Sequence, residues 1–223
     1  MTSLICYPGD MVTELGLRER KKQQTRQQIF DTASRLFLER GFDAVTVAAV
    51  ARAADVSEVT VFNYFPTKED LFFGGMDAFE EQLVEAVRRR AAGESVLAVF
   101  RRVLDEGFEN LGAEERAPII ARAATLIGAS SALQIREREV VAHYTRLLAI
   151  ALAEERGVAE DDVETWTVAS GLMGAHRALV AYVRHQVLAG RRGRRLVADA
   201  RSQAARAFAR LEAGMADYAM ANK

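Results

Sequence analysis

Cysteine is almost absent from this chain. Cys6 is the only one in 223 residues, which excludes an internal disulfide and any cluster of thiolate metal ligands. The three histidines, His143, His176 and His185, have neither HExxH spacing nor cysteine partners, so no metal site is expected. Three prolines and fifteen glycines leave long stretches free to be helical. No segment approaches the roughly 18 unbroken apolar residues of a membrane span. The N-terminus lacks a charged-then-apolar signal pattern, so the expectation is a cytoplasmic protein with no membrane partner. A net charge of −1 supplies no global basic field, although a local basic face is enough to meet phosphates. A nucleophile–base set and a phosphate loop are missing as well; neither catalysis nor a cofactor is expected.

What is present is ordinary globular material, half apolar and about a quarter charged. Residues 1–17 carry Pro8-Gly9-Asp10 without a helical period and read as a flexible tail; Met11 offers an alternative start. From Arg18 the pattern becomes helical. Ile29, Ala33, Leu36 and Phe37 form one apolar stripe, and Gly41 stops that helix. Thr46 and Ser57 are N-cap residues for two very short helices, and Pro66 ends the second of them. Thr67-Lys68-Glu69-Asp70 opens the next helix with a hydroxyl and two acids in its first turn. Further helices are predicted near 67–91, 95–111, 116–128, 131–156, 160–189 and 194–218. The fold class is therefore all-α, with a three-helix domain at 18–66 and an antiparallel helical bundle over 67–223.

The informative segment runs from Thr46 to Lys68, TVAAVARAADVSEVTVFNYFPTK. Two short helices joined by a three- or four-residue turn have the geometry of a helix-turn-helix, whose second helix lies in the DNA major groove. Ala51 and Ala54 are small where the helices must cross, and Val56 and Val61 fill the wedge between them. Ser57 caps the second helix, turning its N-terminal dipole end toward phosphates. Glu58, Val59, Thr60 and Asn63 remain on the outer face, within reach of base edges or phosphates.

Arg26-Gln27-Gln28-Ile29 through Phe37, then Gly41-Phe42, Thr46-Val47, Ala54-Asp55-Val56-Ser57, Thr60 to Phe65 and Lys68-Glu69-Asp70-Leu71 together resemble the TetR family signature. The resemblance covers about Arg18 to Phe73, a quarter of the chain. It implies a transcriptional repressor, a homodimer on a pseudo-palindromic DNA operator, released by a small-molecule effector. Position by position it implies phosphate contacts from Thr46, Thr60, Tyr64 and Lys68, and base reading by Glu58, Val59 and Asn63. Lys21, Lys22 and Arg26 are implied at the backbone or minor groove. Two positions depart from the family: Phe62 stands where tyrosine is usual, and Asp55 replaces a turn glycine.

The C-terminal part is less specific. Trp166, Ser170, Met173 and Arg177 recur at helical spacing. They read either as packing with a surface arginine or, with Phe100, Leu104 and Phe108, as the lining of an effector pocket. Arg122, one turn before Leu126, suits either an acidic effector or a neighbouring glutamate. His143 and His176 read as polar fillers. Gly171 and Gly174 sit in a helix interior at about 1 kcal/mol each relative to alanine, which suggests close approach of a helix or ligand. Arg191, Arg192, Arg194 and Arg195 flank Gly193, as cations do near a helix C-terminus, or form a second anionic contact. Guided by the family resemblance, the dimer surface is expected on the last two helices, through Leu196, Ala200, Ala204, Ala207, Phe208 and Leu211.

Overall fold

The computed structural model describes residues 16–215, and among them every regular element is an α-helix. In order these are α1 (Leu17–Arg40), α2 (Val47–Ala53), α3 (Glu58–Tyr64), α4 (Lys68–Arg88), α5 (Val96–Leu111), α6 (Arg116–Ala129), α7 (Ser131–Arg156), α8 (Val163–Leu188) and α9 (Gly193–Met215). The predicted tail lies, apart from Gly16 and Leu17, outside the described residues, as do the last three residues of the predicted final helix.

Local chemistry sets the helix ends. Thr46, Ser57, Ser95 and Asp162 each accept a hydrogen bond from the backbone N–H three residues on, opening α2, α3, α5 and α8. Such a cap contributes about 1 kcal/mol. At α4 the arrangement is reciprocal: Asp70 N–H donates to Thr67 Oγ1 at 3.1 Å, and Thr67 N–H donates to Asp70 Oδ2 at 2.9 Å. Gly41 ends α1 at φ +88°, where a side chain would be strained.

The chain divides into two compact units. The first holds the described residues up to 78 together with 122–137; the second holds 79–121 and the described residues from 138 onward. The division expected from sequence, at Pro66, differs from this one for a physical reason. Pro66 ends α3, but Leu71, Phe72 and Phe73 in the next turns of α4 enter the same core as Ile29, Phe37, Val50 and Val61. Leu126, Ile127 and Leu133, from the end of α6 and the start of α7, join it too. Helices α1 to α3 alone would leave those apolar faces wet. The rings of Phe37, Phe42 and Phe72 meet at 5.3 to 5.9 Å, within the range where aromatic pairs attract.

In the second unit α5 packs against α8 and α9, with Phe100 and Phe208 edge to face at 6.3 Å. Leu196 and Ala200 of α9 are fully buried beside Leu111 and Val187. The side chain of Arg90, just past α4, is buried, and its guanidinium donates to the Val87 carbonyl at 2.8 Å and to Glu155 at 2.6 Å. Helices α4, α6 and α7 each contribute residues to both units. No single helix among the described residues is long and apolar enough to cross a membrane.

Candidate nucleic-acid interface

The short helices α2 and α3 meet through residues that leave no room for larger ones. Val50, Ala51, Ala54 and Val61 are each 2% exposed or less. The turn between them needs a left-handed residue, and Asp55 supplies it at φ +53°, the sole non-glycine with positive φ among the described residues. Val56 N–H donates to the Ala51 carbonyl at 3.0 Å, closing the turn. From α1, Gln28 donates through Nε2 to the Ala54 carbonyl at 2.8 Å. Nothing in the sequence marks Gln28 as a positioning residue, because glutamine on an exposed helix face carries no signal of a tertiary partner.

With Val61 and Phe65 buried, the opposite face of α3 is turned outward. Glu58, Val59, Phe62 and Asn63 are exposed, Val59 by 69% and Phe62 by 47%; Thr60 and Tyr64 are half-buried. Ser57 Oγ accepts the Thr60 N–H at 3.0 Å and lies 2.8 Å from Thr60 Oγ1. Thr46 is exposed while its hydroxyl caps α2 at Ala49, 3.1 Å away.

The basic residues around this face are held to different degrees. Lys68 Nζ sits 4.2 Å from the centre of the Phe42 ring, and Arg26 Cζ lies 4.9 Å from that of Phe65. Each cation–π contact restrains a long side chain without using up its hydrogen-bond donors. Lys21 and Lys22 are exposed on the first turns of α1, and Lys22 reaches Glu19 only at 4.0 Å. Lys68 is further fixed through its helix start: Asp70, which caps Thr67, lies 2.7 Å from Arg136 Nε through Oδ1. Thr46, Ser57, Lys68 and the outward face of α3 thus all belong to one compact unit, together with Lys21, Lys22 and Arg26.

The residues considered for an effector pocket do not gather in one unit. Arg122 and Leu126 lie in the first, where Leu126 is part of the core and Arg122 Nε donates to the Leu38 carbonyl at 3.2 Å. In the second unit Phe100, Leu104 and Met173 are buried, Phe108 and Trp166 half-buried, and Ser170 and Arg177 exposed. Trp166 Nε1 donates to the Glu160 carbonyl at 2.8 Å. The buried side of α8 runs instead through Thr165, Val168, Ala169, Leu172, Met173, His176 and Leu179. His176, read from sequence as a filler, is an interior group with its ring 5.3 Å from that of Phe79. Burial, reinforced by the Arg184 charge, pushes its imidazole down from 6.5 to about 4, so it is neutral at physiological pH. A Cβ added at Gly174 would meet open space, so within the single chain nothing approaches that glycine closely. Among the described residues no group of three or more His, Cys, Asp or Glu side chains is placed to hold a metal ion.

Comparison with known proteins points to the same segment. Residues 29–74 match a model of the family described as bacterial regulatory proteins, tetR family. The HTH-type transcriptional regulator TcmR of Streptomyces glaucescens is 38% identical over 93 residues, which is 40% of this chain and 41% of that protein. The chain thus spans well under two thirds of that relative's length. The Fatty acid metabolism regulator protein of Bacillus subtilis is 28% identical over 141 residues, covering 60% of this chain and 70% of its own. Among solved structures, the repressor FadR of Thermus thermophilus in complex with lauroyl-CoA aligns over 85% of this chain and 94% of its own. Its TM-score is 0.53 at 24% identity, a likeness of fold.

Proposed function

We propose that this chain, a member of the tetR family of bacterial regulatory proteins, is a sequence-specific DNA-binding transcriptional repressor that acts as a homodimer and is released by a small-molecule effector. The observation that carries this reading is α3: its inner residues seal a core while its outer face stands clear, beside a lysine steered by an aromatic ring. A helix so placed can enter a major groove as α2 lies across the backbone. Thr46, Thr60, Tyr64 and Lys68 then meet phosphates, and Glu58, Val59, Phe62 and Asn63 face base edges. Lys21, Lys22 and Arg26 extend the basic rim toward the backbone or minor groove. The dimer is assigned to the outward sides of α8 and α9 rather than to the stripe expected from sequence, because Leu196, Ala200, Ala204 and Phe208 are buried in the chain's own core, while Val163 and Leu188 on α8 are exposed.

The effector is assigned to the second unit, an apolar or amphiphilic molecule among Phe100, Leu104, Met173 and His176. His176 Nδ1 supports this, being buried with no hydrogen-bond partner among the described residues. Linkage follows from connectivity: α4 begins at Lys68 and its later turns belong to the effector unit, so a shift there alters the presentation of Lys68 and α3. A coupling of roughly 1–3 kcal/mol, a 5- to 150-fold change in operator affinity, is typical of such linkage.

Fluorescence anisotropy of the protein on the DNA upstream of its own gene tests the proposal. Saturable binding that survives competitor DNA at moderate salt, and weakens on adding a long-chain acyl-CoA or another amphiphile, is the expected result. Binding no tighter than to unrelated DNA there, and no enriched sequence in a genome-wide selection, would sink it.

A further inference from the structure

The outward face of α3 is unusual in what it offers a groove. Val59 and Phe62, one helical turn apart, are exposed by 69% and 47%, and neither side chain carries a hydrogen-bond donor or acceptor. They form an apolar strip between Glu58 and Asn63 on a helix of seven residues. Their exposure is not forced by packing, because Val61 and Phe65 already fill the core beneath. Resting on the reading that this face enters DNA, we infer that Val59 and Phe62 recognise the 5-methyl groups of thymines in each operator half-site.

The reasoning is one of elimination at the groove edge. The major-groove edges of guanine, cytosine and adenine present donors and acceptors, and the only apolar group any standard base shows there is the thymine methyl. An apolar side chain pressed on a polar edge strips its water and returns no hydrogen bond. Pressed on a thymine methyl, it buries apolar surface on both sides. Residues three apart on a helix are separated by about 4.5 Å along its axis, close to the roughly 3.4 Å spacing of base pairs. With the axis of α3 running along the groove, the two contacts fall on neighbouring base pairs. Glu58 beside them suits a cytosine amine and Asn63 an adenine edge. The half-site that fits carries one or two thymines at its centre, flanked by pairs read through hydrogen bonds.

Deoxyuridine differs from thymidine by that methyl alone, so it isolates the contact without disturbing Watson–Crick pairing. The operator is first selected from genomic fragments with the full-length dimer. Each thymine is then replaced singly by deoxyuridine, and affinity is read by fluorescence anisotropy. A buried methyl is worth about four-fold in affinity. A drop of that size is expected at one or two positions per half-site, and about fifteen-fold when symmetric positions in both half-sites are changed. With Phe62→Ala or Val59→Ser, each at an exposed site and checked for unchanged helix content, the penalty at the partner thymine should vanish. Tight binding to the selected operator with no deoxyuridine effect at any position would overturn this inference and leave the regulator reading standing. A deoxyuridine penalty that persists undiminished in both variants would overturn it as well. Failure to enrich any sequence would instead remove the regulator reading on which it rests.

Discussion

The neutral, buried imidazole of His176 makes the stability of the folded chain depend on pH in a calculable way. In the unfolded chain this group takes up a proton near 6.5; in the folded chain it resists until about 4. Above roughly pH 7.5 neither state is protonated and the group contributes no pH dependence. Below 6.5 the unfolded state binds a proton that the native state refuses, so stability falls as pH falls. Each unit of difference is worth about 1.4 kcal/mol, so about 1.3 kcal/mol is lost between pH 7.5 and 5.5. The loss reaches about 3 kcal/mol near pH 4 and then levels off. Other groups titrate over the same range, so the informative quantity is the difference between wild type and His176→Leu, which keeps the volume but cannot titrate. Urea midpoints would be measured at pH 7.5, 6.5 and 5.5 at one fixed protein concentration, since self-association would make stability depend on it. The variant should lose about 1.3 kcal/mol less than wild type across that span. Identical pH slopes for the two proteins would refute the reasoning; should the leucine variant fail to fold, His176→Gln makes the same comparison.

Four other perturbations have defined outcomes. Lys68→Ala should weaken binding to all DNA sequences alike and reduce the slope of log affinity against log salt by about 1.8, one phosphate contact from each protomer of the proposed dimer, read by anisotropy from low to moderate salt. Gly74→Ala would bring a methyl within 2.8 Å of a Phe65 ring carbon and 3.0 Å of Phe30; the overpacked core should lose about 1–3 kcal/mol in urea unfolding. Asp55→Val, at φ +53°, should lower stability by about 1 kcal/mol or more, whereas Asp55→Gly should retain or raise it, both measurable as shifts in Tm. Glu155→Ala would leave Arg90 buried without that carboxylate and should lower the urea midpoint, while Glu155→Gln, which keeps a hydrogen-bond acceptor, should lower it less.

The helices were legible because their ends are marked by chemistry that acts locally. Gly41, Thr46, Ser57 and Pro66 each stand at an observed boundary, whereas the caps Ser95 and Asp162 emerged only in the structure. The left-handed conformation at Asp55 was implied by the family resemblance, which places a turn glycine at that position. Contacts fixed by tertiary placement were not. Arg136 beside Asp70, Gln28 on the Ala54 carbonyl and Arg122 on the Leu38 carbonyl join residues 26 to 84 positions apart, and no local pattern announces them. The same limit explains why Pro66 read as a domain boundary: a proline reports where a helix stops, not where its successor's apolar face is buried. On α8 the spacing of Trp166, Ser170, Met173 and Arg177 was real, yet the helix buries the adjacent face, with only Met173 fully inside. Helical periodicity names several possible faces, and the packing partner chooses among them.

The central claim is that side chains on the outward face of α3 read bases in duplex DNA. Selection from a random-sequence library with wild type, and in parallel with Asn63→Ala, tests it most directly. The account predicts an enriched two-fold-symmetric sequence for the wild type, and for the variant the same sequence relaxed at a restricted position in each half-site with its salt dependence unchanged. An identical preferred sequence for both proteins, or no enrichment by the wild type, would contradict it.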